Sequence, residues 1–270
     1  MNHIVIIGAG KEGKAYLGEV YDAAGWNVTF LDKDSRVVEA LKETGQYHVT
    51  VLRKDRTEQR TITGYETYET DDSYSCMERM VDADVIALCL YPEDIEDAIR
   101  YIGPCLRKRA AENPKQNLLV LSCTNKNHIM EKNEALLLEE LSEEKQKIWY
   151  RERVAFRDVI VRRSGNAPSN HALCLTTKAL QSLLIQGPVN VDLSGVEWMQ
   201  VCDGVEFLKD IKLFVHNCPH AACAYAGYVK GYTTTQDAER DDEIATLMKG
   251  CLAEASEGIR AEFHPTLEQL

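Results

Sequence analysis

No apolar run in this 270-residue chain approaches the roughly 20 residues that a membrane-spanning helix requires. The apolar start His3-Ile4-Val5-Ile6-Ile7 is short and leads straight into glycines, unlike a signal peptide. These absences point to a cytoplasmic protein with no membrane partner. Basic excess is missing as well: 31 Lys and Arg stand against 43 Asp and Glu, a formal net charge of −12. Such a surface offers nucleic acid no electrostatic footprint, which leaves a small molecule as the expected partner.

Nor is there a Cys-x-x-Cys. The nine cysteines are scattered and mostly lie in apolar stretches, so reduced core thiols are expected. Cys218 and Cys223 are the closest two, and no second pair accompanies them to complete a zinc site, so no metal is expected. Internal repeats, low-complexity tracts and a hydrolase-type nucleophile elbow are absent too. The acidic runs Glu139 to Glu144 and Asp241-Asp242-Glu243 lack metal-ligand spacing and read as solvated helix ends. What remains is ordinary for a folded protein, with 44% hydrophobic and 27% charged residues and enough length for two domains.

Strand-like and helix-like patterns alternate through the first half. His3 to Gly8 reads as a buried strand, Lys11 to Ala24 as a helix and Asn27 to Asp32 as a second strand, together a βαβ unit. Tyr47 to Arg53 and Arg60 to Tyr68 read as a hairpin. Val85 to Leu90 and Leu118 to Ser122 are continuous apolar runs of the kind that parallel strands buried on both faces require, with a helix between them from Glu93 to Arg109. Arg162 to Asn170 reads as an exposed loop. From Gly204 onward the periodicity is helical, through Val205 to Val229 and Asp237 to Phe263. The expected fold class is therefore α/β: a Rossmann-type parallel-sheet domain over residues 1–190, then a mainly helical domain over 191–270, with Gln186-Gly187-Pro188 punctuating the boundary.

The clearest chemistry lies in Gly8-Ala9-Gly10-Lys11-Glu12-Gly13, at the turn from first strand to first helix. Gly8 permits the tight turn, Gly10 lets the backbone approach a pyrophosphate, and Gly13 lets the helix pack close to the strand. The anion then meets unsatisfied N–H groups at the helix N-terminus. Asp32 ends the second strand 19 residues after Gly13, where a carboxylate accepts hydrogen bonds from the adenosine ribose. A carboxylate there also repels a 2′-phosphate, which favours NAD over NADP, although Lys33 and Arg36 stand nearby.

A second set lies in the helical half, at Lys212, Asn217 and His220. At about 100° per residue the three fall within about 140° of one another, on one side of a helix. Pro219 lacks an N–H and implies a kink or break among them. On spacing alone an amphipathic surface helix accounts for the same pattern.

Lys212-x4-Asn217-x2-His220 resembles the signature of the polyol-specific long-chain dehydrogenases, the family of the mannitol and mannitol-1-phosphate dehydrogenases. The similarity extends to Gly8 through Gly18, to Thr29-Phe30-Leu31-Asp32, and to Cys123-Thr124-Asn125, where Thr124 replaces the family's acidic residue. The early position of the glycine loop is more like the shorter mannitol-1-phosphate branch. The resemblance implies a helical domain of the 6-phosphogluconate-dehydrogenase-like type, NAD as cofactor, and a polyol or sugar-phosphate substrate interconverted with its ketose. It also implies roles: Lys212 as general base, Asn217 and Asn125 as hydrogen-bond donors to the developing oxyanion, and His220 as a substrate contact. A base of this type must be neutral, so the ordinary lysine pKa of about 10.4 has to fall.

Two departures from the family pattern stand out. Val161-Arg162-Arg163 occupies the place of Val-Asp-Arg, so Arg162 replaces an expected substrate-site aspartate. A solvated loop arginine is the preferred account of Arg162, with recognition of a phosphorylated or carboxylated substrate as the alternative. The family pattern also continues with further helical chain beyond Leu270, which implies a C-terminally shortened chain, a missing portion or self-association. Two alternatives stay open: an NAD-dependent dehydrogenase for another substrate class such as a hydroxy acid, and an inactive dinucleotide-binding relative.

Overall fold

A computed structural model describes residues 2–163 and 165–264. Ser164, within the expected loop, and the end of the expected helical domain past residue 264 lie outside the described residues. The chain divides into two compact units, Met1–Val205 and Glu206–Leu270.

In the first unit, β1 (His3–Ile7) is followed by a π-helical stretch, Gly13–Gly18, that continues as α1 (Glu19–Ala23) and returns through β2 (Asn27–Asp32). Alternation along β1 explains its central place. Ile4 and Ile6 enter the apolar cluster on one face of the sheet, while Val5 and Ile7 enter the cluster on the other. Both faces are therefore covered, as the unbroken apolar run requires. The π turn was not legible in the sequence, but it explains the spacing of Gly13 and Gly18. Five residues apart, they sit one above the other in an i→i+5 turn. A Cβ on Gly13 would run into the carbonyl oxygen of Gly8, and one on Gly18 would stand 2.7 Å from the Phe30 ring.

After α2 (Ser35–Thr44), β3 (Gln46–Leu52) and β4 (Thr57–Thr63) form a hairpin in register Gln46↔Thr63 to Leu52↔Thr57. The sequence-based hairpin of Tyr47–Arg53 with Arg60–Tyr68 needs correction in its second arm. Gly64 turns the chain at φ 72°, and β5 (Glu66–Glu69) leaves the hairpin to pair parallel with β2. Continuous β propensity carried no mark of that change of partner. The chain proceeds through α3 (Met77–Asp82), β6 (Val85–Leu88), α4 (Ile95–Glu112), β7 (Leu118–Ser122), α5 (Met130–Glu140) and α6 (Glu144–Arg153) to β8 (Val154–Ile160). Then come β9 (Gly165–Asn166), β10 (Cys174–Lys178), β11 (Leu183–Gln186) and β12 (Met199–Cys202).

The main sheet has the order β12-β11-β8-β7-β6-β1-β2-β5, parallel throughout except where β11 meets β8. A smaller sheet, β4-β3-β10-β9, packs beside it. The sheet thus runs past the Gln186-Gly187-Pro188 punctuation, and β12 belongs to the first unit.

The expected exposed loop at Arg162–Asn170 also needs correction. Arg163 is 2% exposed; its Nη2 donates to Glu19 Oε2 at 2.6 Å, its Nε to Thr177 Oγ1 at 2.9 Å, and its guanidinium lies 4.8 Å from the centroid of the Tyr16 ring. A charged residue next to Gly-Asn-Ala-Pro reads as loop, and a partner 144 positions away is invisible to local pattern. The pair fastens the first helix to the segment between β8 and β10.

The second unit is helical: α7 (Val205–Asp210), a π-helical stretch Ile211–Asn217, α8 (Cys218–Val229), α9 (Thr235–Ala238) and α10 (Asp242–Phe263). Cys223, Ala238 and Ile244 form its small buried core, and Asp241 caps α10 by accepting from the N–H groups of Glu243 and Ile244.

Removing one member of the buried ion pair strands the other. Glu19→Ala is expected to cost about 3–5 kcal/mol in urea unfolding, whereas Glu19→Leu combined with Arg163→Met costs much less. Equal losses in the two variants would show that the pair's charges do not matter.

Candidate functional site

The order β5-β2-β1-β6-β7-β8 places the reversal of strand order, the topological switch point, between β1 and β6, where ligands of open α/β sheets bind. Gly8 leaves β1 there. Its φ of 100° suits glycine, its N–H donates to the Leu31 carbonyl at 2.8 Å, and a Cβ would collide with the Cys89 carbonyl oxygen at the end of β6. Gly10 differs from its neighbours: among the described residues a Cβ there would meet only Asn170 side-chain atoms, at 3.7 and 3.8 Å. Gly8 and Gly13 are thus glycine because of the fold, whereas Gly10 borders space that a ligand can use. Ala9 is buried, and Lys11 and Glu12 begin the first helix.

Asp32 organises this loop. Its Oδ2 accepts from the Ala9 N–H at 2.8 Å and its Oδ1 from the Asp34 N–H at 3.0 Å. A carboxylate has further lone-pair directions, so these bonds leave acceptor capacity for ribose hydroxyls. The two cations that kept NADP open are engaged elsewhere: Lys33 Nζ lies 2.5 Å from Asp94 Oδ1, and Arg36 donates to Asp34 at 2.9 and 2.7 Å. Neither presents an uncompensated charge beside Asp32.

A polar residue that motif reading passed over lies under the loop. Lys14 is fully buried and donates from Nζ to the carbonyls of Asn170 at 2.6 Å and Ala172 at 2.9 Å. Burial pulls its pKa down to about 8, with Asp32 acting in the opposite direction. Alternating polarity along the first helix gave no sign that this lysine points inward.

Asn125 is exposed, just beyond β7 on the carboxyl edge of the same sheet. Arg162, also exposed, donates from Nε to the Ser182 carbonyl at 3.0 Å. In the second unit the expected break at Pro219 takes the form of a change from π to α geometry. The Cys218 N–H reaches back five residues to the Leu213 carbonyl, and Pro219 follows in the first turn of α8. An i→i+5 turn stacks Lys212 beneath Asn217, and His220, three residues further along an α-helix, returns to that side. Lys212 is half-buried; Asn217 and His220 are exposed. Among the described residues no group of three His, Cys, Asp or Glu could hold a metal ion, and no helix is long and apolar enough to cross a membrane.

The strand order, the switch-point glycine turn and the acidic end of β2 define the class: a Rossmann-type α/β domain followed by helices. The profile of the Mannitol dehydrogenase Rossmann domain matches residues 2–175, and the chain belongs to that family. Mannitol-1-phosphate 5-dehydrogenase of Shouchella clausii is 26% identical over 262 residues, covering 96% of this chain and 69% of that protein. The enzyme of the same name from Aspergillus terreus is 26% identical over 256 residues, covering 92% and 64%. Among solved structures, Pseudomonas fluorescens mannitol 2-dehydrogenase in ternary complex with NAD and D-mannitol superposes with a TM-score of 0.74 at 17% identity, covering 92% of this chain and 62% of that one. The chain therefore spans roughly two-thirds of the length of these relatives.

The buried Lys14 makes a pH prediction. Its folded pKa lies below its unfolded one, so between about pH 8 and 10.5 the unfolded chain binds more protons, and stability rises with pH by at most about 1.4 kcal/mol per unit. Below pH 8 both states are charged and this contribution is flat. Urea unfolding from pH 7 to 10.5 should show that rise in the difference between wild type and Lys14→Met; a pH-independent difference would contradict it.

Proposed function

We propose that the chain is an NAD-dependent oxidoreductase that interconverts a polyol or polyol phosphate with its ketose. What carries this reading is the glycine turn at the switch point, with Gly10 uncrowded beside the exposed Asn170 side chain and Asp32 holding the loop from the end of β2. Family membership and the mannitol-1-phosphate 5-dehydrogenase relatives supply the substrate class.

The residues present fit NAD. The diphosphate rests on the N–H groups from Gly8 to Gly13, where the helix N-terminus stabilises negative charge. Asp32 accepts from the ribose hydroxyls and disfavours a 2′-phosphate. Lys33 and Arg36, already paired with Asp94 and Asp34, add no compensating attraction for that phosphate. When bound, NAD supplies the acceptor for the hydride that leaves the carbinol carbon.

The roles on the protein side are those the family signature implies. Lys212 takes the hydroxyl proton, so the oxygen can become a carbonyl as the C–H bond breaks. Asn217 and Asn125 donate to that oxygen while its charge grows, a task suited to amides because they do not titrate. His220 holds the substrate. Arg162 is exposed, and its Nε donates to the Ser182 carbonyl.

Calorimetry and NADH absorbance test this reading. NAD should bind more tightly than NADP, and Asp32→Ala should narrow that preference. NADH should form with mannitol 1-phosphate or mannitol but not with a panel of hydroxy acids. Lys212→Ala is expected to lower the rate at least about 100-fold while leaving NAD affinity unchanged. Failure of NAD to bind overturns the cofactor assignment, and NAD binding without Lys212-dependent turnover of any polyol overturns the substrate assignment.

A further inference from the structure

The glycine motif supplies the floor of the nucleotide crevice, and Asp32 one side of it. A further wall comes from a distant part of the chain. The segment from Gly165 to Ala172 lies against the start of the first helix, and three hydrogen bonds fix it there. The Gly165 N–H donates to Glu12 Oε2 at 2.8 Å, and Lys14 Nζ donates to the carbonyls of Asn170 and Ala172. The fit at Gly165 is close enough that a Cβ would run into the Lys11 carbonyl oxygen. Because Lys14 is buried, these carbonyls take the place of the water its ammonium group has lost, so releasing the segment would leave a buried cation unsolvated.

This anchoring decides where one exposed side chain stands. Asn170 Oδ1 and Cγ lie 3.7 and 3.8 Å from the position a Cβ on Gly10 would occupy, and among the described residues, apart from Gly10 and its chain neighbours, nothing else comes within 4 Å of that position. The absence of a side chain at this second glycine is what lets a diphosphate come close to the backbone. Rotation of the Asn170 amide by half a turn presents an N–H donor, in place of Oδ1, to the space over Gly10.

We propose that Asn170 is a cofactor-contacting residue that donates from its amide to the diphosphate over Gly10, with Lys14 as the buried cation that positions it. The proposal rests on the NAD-binding reading and adds to it a residue outside the glycine motif. Lys14 acts through the backbone of Asn170. Asn170 itself is exposed and its amide supports no part of the core, so its substitution leaves the fold intact.

Calorimetry with NAD and with ADP-ribose, on wild type, Asn170→Ala and Asn170→Asp, tests the contact. Asn170→Ala should weaken both ligands about tenfold, the usual consequence of losing a hydrogen bond to a charged group. Asn170→Asp should weaken them further, and its deficit relative to Asn170→Ala should shrink as salt is raised, because a carboxylate repels the phosphates. Melting temperatures should match wild type. Unchanged or tighter binding by Asn170→Ala overturns the proposal while wild-type binding preserves the cofactor reading. No binding of either ligand by wild type overturns both.

Discussion

The first unit is organised around the approach of one helix to one sheet. Gly13 and Gly18, five residues apart, face the strand layer because the intervening turn is π rather than α, and neither position has room for a Cβ. That contact puts the N-terminal end of the helix over the carboxyl edge of β1, with Gly8 turning the chain between them. It also sets the depth of Lys14, Tyr16 and Glu19, all of which lie buried within or just beyond the same turn. Each then finds a partner on the chain between β8 and β12: Lys14 the carbonyls of Asn170 and Ala172, Tyr16 the carbonyl of Trp198, and Glu19 the guanidinium of Arg163.

These partnerships give the glycine loop its rigidity. Loops that bind phosphates work through backbone N–H groups, which must be aimed before the ligand arrives. Here the aim is fixed from two sides, by Asp32 holding the Ala9 N–H and by the segment tied to Glu12 and Lys14. Glu12, an anionic side chain inside an anion-binding motif, accepts a hydrogen bond from the Gly165 N–H. The segment between β8 and β10 is therefore part of the site's construction, although in sequence it has the composition of a loop.

The helical unit follows a similar logic on a smaller scale. Lys212, Asn217 and His220 are distributed over a π turn and the α turns that follow it, and Pro219 falls just after the change from π to α geometry. Straight α geometry already sets the three within about 140° on one side of a helix; the π turn narrows that arc.

The sequence by itself determined the order of the elements in the βαβ start, the positions of β1, β2, β6 and β7, the glycine turn and the acid at the end of β2. These are encoded locally, in apolar runs a few residues long and in glycines whose tasks belong to one turn. Tertiary structure decided the rest: the departure of β5 from the hairpin, the burial of Lys14 and Arg163, the π geometry of both functional helices and the place of Asn170 beside Gly10. Each depends on a partner far away in the chain, up to 158 residues for Lys14, or on a backbone choice between hydrogen-bonding patterns of similar local cost. Charged residues read as exposed when their neighbours are polar, and only packing reveals that a lysine or an arginine has exchanged water for carbonyls or a carboxylate.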